Sequence, residues 1–123
     1  MKIKLLAAAL LAFVPLGAAQ AMDVATFLVK ADGLEKKGML ALMSSDYKLL
    51  MREIRTQGAS LRAERLAAEK AGRKAAYCPP AKQSLTAKEV LTAFRTIPEA
   101  QRSRIQVRDA LRALMARKYP CRA

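Results

Sequence analysis

Apolar positions along the chain recur at three- and four-residue steps and nowhere alternate over a useful length, which predicts helices and no strands. Asp23 is an N-cap type, and Val24, Phe27, Leu28, Ala31 and Leu34 after it mark one face of a first helix ending near Gly38, with Gly33 weakening the last turn. Residues 39–43 are apolar without a period, so their conformation stays open, and Ser44, Ser45 or Asp46 can cap the next helix. Tyr47, Leu50, Met51, Ile54, Gly58, Leu61 and Ala68 then share a face across 46–71, which predicts one long helix. A glycine on that face costs about 1 kcal/mol relative to alanine, so Gly58 marks either a close helix crossing or a break into two helices. Lys48, Arg52, Glu53, Thr56, Arg62, Glu69 and Lys70 occupy the other face, and Gly72 with Arg73 and Lys74 ends the helix.

Cys78-Pro79-Pro80 cannot continue a helix, because proline removes donors and holds the residue before it extended. Thr86 and Glu89 form a capping box ahead of a short helix with Val90, Leu91 and Phe94 on its apolar face, and Ile97-Pro98 stops it. A last helix is predicted over 103–118. Its buried stripe is Val107, Ala110, Leu111 and Leu114, its early acid is Asp109, and Arg117 and Lys118 stand where the helix dipole favours cations. The fold class is therefore all-α, a small single-domain helical bundle, and Tyr119-Pro120-Cys121 brings the second of only two cysteines to its end.

The first residues change the meaning of those cysteines. Lys2 and Lys4 precede an apolar run from Leu5 to Leu16, and Ala19 and Ala21 are the small residues of a cleavage site, so 1–21 reads as a secretory signal cut between Ala21 and Met22. The run falls short of the roughly 20 residues needed to span a bilayer. The remainder, 22–123, is one domain of 102 residues, expected to be soluble and periplasmic. In an oxidising compartment Cys78 and Cys121 are expected to pair with each other rather than between chains or to remain free thiols, closing a loop worth about 4 kcal/mol on the chain-entropy account. The signal holds two of the 23 basic residues and none of the 10 acidic ones, leaving a net charge of +11 on the domain.

Histidine and tryptophan are absent. That removes the commonest general base and metal ligand and every Ser-His or Cys-His arrangement, and no phosphate loop or paired-carboxylate motif is visible, so neither an enzyme, a cofactor nor a metal is expected. Cationic surface remains. Arg104, Arg108 and Arg112, four apart, are expected along one side of the last helix, where they are either solvated cations with stems lying over the core edge or a recognition edge for an anionic protein or envelope polymer. Nucleic acid is not the expected partner of an exported chain with few aromatics. Anionic membrane surface competes better, although capped helices and a tied loop describe a packed domain.

Residues Tyr77-Cys78-Pro79-Pro80, then Glu89, Leu91 and Phe94, Pro98-Glu99, Val107, Ala110-Leu111 and finally Lys118-Tyr119-Pro120-Cys121 resemble the C-terminal half of the Rap/Tai-type immunity proteins. The resemblance covers about 45 residues and rests on short motifs. It implies a periplasmic, disulfide-bonded, commonly dimeric helical bundle that plugs the active site of a type VI secretion amidase effector. Members of that family usually carry a further cysteine pair in the N-terminal half, which 22–76 lacks, so the family's second disulfide has no counterpart here, and no toxin-contacting residue carries over because none of those positions matches a motif in this chain. The expected function is a small exported binding protein that inhibits a partner protein by occlusion. The alternatives are a cationic envelope protein that binds anionic lipid or cell-wall polymer and, less well supported by a chain without histidine, a small periplasmic chaperone.

Overall fold

Asp23 opens the first helix, α1 (Val24–Lys37), by accepting the Thr26 amide on Oδ1 at 2.7 Å. Such a cap satisfies one of the donors that a helix N-terminus leaves free. Gly38 ends it at φ 57°, a left-handed conformation that side chains strain to adopt. This computed structural model describes residues 21–122, so all of the expected export signal except Ala21 lies outside the described residues. The aperiodic stretch forms a 3₁₀ turn over Gly38–Met43 with no buried residue. Ser44 then caps α2 (Ser45–Lys70), its hydroxyl accepting the Asp46 amide at 3.3 Å.

Helix α2 continues through Gly58 without interruption, and a Cβ built there would meet nothing within 4 Å. Neither the break nor the close crossing expected at Gly58 exists. The helix ends at Gly72, φ 69°, where the Gly72 amide donates to Glu69 O at 3.1 Å and the Arg73 amide to Ala68 O at 2.8 Å. Those two bonds satisfy carbonyls that the helix end would otherwise leave bare.

The capping box forms as expected at α3 (Ala87–Thr96), with the Glu89 amide donating to Thr86 Oγ1 at 3.1 Å and the Thr86 amide to Glu89 Oε2 at 2.7 Å. A 3₁₀ turn over Glu99–Gln101 follows Pro98. The last helix, α4 (Val107–Lys118), begins at Val107 rather than Ser103. Residues 105–107 are instead drawn alongside 22–24 by an antiparallel bridge between Asp23 and Gln106, with the Val24 amide donating to Ile105 O at 2.9 Å and the Val107 amide to Met22 O at 2.8 Å. Gln106 is thereby held extended, at φ −77° and ψ 149°, and the helix can begin only after it.

Four stripes meet in one core: Val24, Phe27, Leu28 and Ala31 from α1, Leu50 and Leu61 from α2, Val90 and Phe94 from α3, and Val107, Ala110, Leu111 and Met115 from α4, with Tyr77 beside them. Phe27 and Phe94 pack edge to face with centroids 5.2 Å apart, the arrangement that aromatic quadrupoles favour. Arg95 clips α3 to α1 through Asp32 at 2.9 Å and Glu35 at 2.8 Å. Cys78 and Cys121 form the expected disulfide, and the Cys78 amide donates to Tyr119 O at 2.8 Å beside it. Helix α1 packs on the other three and α4 on α2 and α3, whereas α3 stands off α2. The described residues form no extended strand, and no helix among them is long and apolar enough to cross a membrane.

Candidate functional site

The gap between α2 and α3 is where the core remains open. Tyr47, Met51 and Ile54 lie on the apolar face predicted for α2, yet only Leu50 and Leu61 on that helix are buried, and these three stay half-buried where the face opens toward α3. At one end a cleft of about 240 Å³ is walled by Leu34 of α1, Tyr47, Met51 and Ile54 of α2, and Val90 and Leu91 of α3. Beyond Ile54 and Leu85, which line both, a second cleft of about 370 Å³ extends past Gly58 and Arg62 to Tyr77, Leu111 and Met115. Together they make one apolar trough along α2. Gly58 sits in its wall with open space where a side chain would stand. A concave, mostly apolar surface with few polar groups is the usual form of a binding site.

The far wall is the proline-bearing loop before α3, which has no helix of its own to fix it. It is held from α4 and the tail. Lys118 Nζ donates to the Ser84 carbonyl and to Glu89 Oε1 at 2.7 Å, Tyr119 Oη lies 3.4 Å from both the Ser84 amide and its carbonyl, and the disulfide fixes the loop's start. The Lys118 ammonium, together with the Thr86 amide, lowers the Glu89 carboxyl from 4.5 to about 2. Glu89 in turn raises Lys118. Arg65 stacks over Tyr77, 5.8 Å from the ring centroid, and holds the trough's deep end.

The three candidate arginines do not form one helical row. Arg104 lies in the turn before α4, exposed, because that helix starts at Val107. Arg108 is half-buried on the first turn, with its Nε enclosed and without a hydrogen-bond partner. Arg112 ties α4 to α2, donating from Nε and Nη2 to the two Glu64 carboxylate oxygens at 3.0 and 2.9 Å and from Nη1 to Asp109 at 2.8 Å. These carboxylates raise the Arg112 pKa, Glu64 first. Arg104 is thus the one of the three that projects freely into solvent.

A second apolar surface stands at the α1–α2 elbow, where Met39, Leu40, Leu42 and Met43 are 84, 71, 56 and 82 % exposed. Sequence reasoning assigned no role to this elbow or to the trough. The available signals were an apolar run with no period in 39–43 and a glycine on an otherwise apolar helix face. No family model, no curated protein and no solved structure matches this chain.

Proposed function

We propose that this chain is an exported helical binding protein that inhibits a partner protein by occlusion, covering it with the face that carries the trough. The observation behind this reading is the open apolar trough along α2, whose wall keeps a glycine that the helix backbone does not need. A groove of this kind receives an apolar row of side chains from a helix or loop of the partner, with Arg62 on its rim to meet an acid. The reading asks for binding alone, with no chemistry from this chain. The resemblance of 77–121 to immunity proteins supplies the partner class, a cell-wall amidase effector, and the signal-like 1–21 supplies the compartment.

The test is a pull-down from envelope extract with the oxidised protein from Met22 onward, washed at low and then at high salt, beside Gly58→Leu. A single protein that survives high salt on the wild type and is lost on Gly58→Leu is the expected result. Absence of any protein that survives high salt, or a surviving protein held equally by the two, would refute occlusion, whether or not envelope material is also captured diffusely and released by salt.

A further inference from the structure

The elbow between α1 and α2 carries an inference independent of the trough. Its six residues, Gly38–Met43, include no polar side chain and bury none of themselves, although exposed apolar groups in a folded domain are usually scattered singly. Lys36 and Lys37 stand immediately before it and Lys48 just after, and among the described residues none of the three forms an ion pair. The nearby acids do: Asp46 is held by Lys30 at 3.3 Å, and Asp32 and Glu35 by Arg95. The elbow is therefore an apolar tip with uncompensated cations beside it.

We infer that this tip docks on an anionic phospholipid bilayer, Met39, Leu40, Leu42 and Met43 entering the interface while Lys36, Lys37 and Lys48 meet the headgroups. Shallow apolar insertion combined with attraction to anionic lipid is how peripheral proteins hold a membrane surface. A bilayer needs no side-chain hydrogen bonds for recognition, and the tip offers none. The backbone there is partly self-satisfied, as where the Ser44 amide donates to Ala41 O at 2.9 Å. A second copy fits less well, since it would bring the same lysines, and a net charge of the same sign, against this face.

The experiment is co-sedimentation of the oxidised protein from Met22 onward with phosphatidylcholine vesicles, plain or carrying about a quarter phosphatidylglycerol. Leu40→Asp with Met43→Asp alters side chains that are 71 and 82 % exposed, so the fold, followed by melting temperature, is unaffected. The wild type is expected to sediment with the anionic vesicles and to be released by salt. The aspartate pair should lower the partition coefficient at least about ten-fold, and Lys36→Gln, Lys37→Gln and Lys48→Gln about five-fold each. Absence of binding to anionic vesicles, or binding that both sets leave unchanged, overturns the inference. So does a result in which the aspartate pair abolishes self-association or capture of a protein while no vesicle binding exists to lose.

Discussion

A glycine in the interior of a 26-residue helix lowers stability unless something uses the space of its missing side chain. At Gly58 the backbone is helical and the space is empty, so Gly58→Ala should stabilise the protein by about 1 kcal/mol, measured by denaturant unfolding. Gly58→Leu should keep most of that gain while filling the trough, separating stability from binding in one position. Both measurements are needed, because a variant that merely misfolded would lose binding and stability together. Glu89 makes a different case. Its carboxyl is lowered from 4.5 to about 2 by Lys118 and the Thr86 amide, so the folded state binds the proton less readily than the unfolded chain. Its contribution is therefore fully present above about pH 4.5 and is lost as pH falls through about 2. Acid melting curves should show wild-type melting temperature falling across that window. Glu89→Gln should start lower at neutral pH and fall less, and an identical acid dependence in the two proteins would contradict this assignment.

At the scale of elements, what the sequence made legible is what adjacent residues decide. Asp23, the Thr86–Glu89 box, Gly38 and Gly72 each act on amides or carbonyls within a few positions, and α1, α2 and α3 begin and end close to where those residues place them. The start of α4 was not legible, because it depends on 22–24 pairing with 105–107 across more than eighty residues of chain, and no local signal reports such a partner. The arginine row failed with it: Arg104 left the helix, and Arg112 found Glu64 on α2. The trough was hidden for a related reason, since periodicity identifies an apolar face and cannot say which part of it a neighbouring helix leaves bare. The new positions separate the roles of the arginines. Arg112→Ala should cost about 0.5–1 kcal/mol, the scale of a well-formed but partly screened ion pair, since Glu64 is 53 % exposed. Arg104→Ala should leave stability unchanged and slow association with an acidic partner at low salt, as stopped-flow binding would show.

For the whole molecule, the central fact is that α2 and α3 make little contact with each other, so the packed four-helix core stays open along one side, and the loop that bounds this gap is tied at its start by the disulfide. The disulfide closes a loop spanning 43 positions, which on the chain-entropy account is worth about 4 kcal/mol, a large share of the stability that a domain of this size holds. It also acts locally. Cys78 and Cys121 join the start of the proline loop to the tail, and the same tail presents Lys118 and Tyr119 to Ser84, so between the anchors that Tyr77 and Leu85 make in the core the trough's far wall is held through a single covalent tie and a few polar contacts. Removing the tie should therefore loosen that wall before it unfolds the helices. In Cys78→Ser with Cys121→Ser, amide exchange is expected to accelerate first at the bonded loop amides of Ser84 and Thr86, while the amides of α1 and α3 around the Phe27–Phe94 contact keep their protection under conditions where the domain still folds. Denaturant unfolding of the same variant should show a loss approaching about 4 kcal/mol. Uniform acceleration across all four helices would instead mean that the bridge acts only on the unfolded chain, and that the loop wall stands on its own polar contacts. A partner that reads the trough should then bind the folded fraction of the variant as tightly as wild type, whereas selective loosening of 79–86 should weaken it even where the fold is intact.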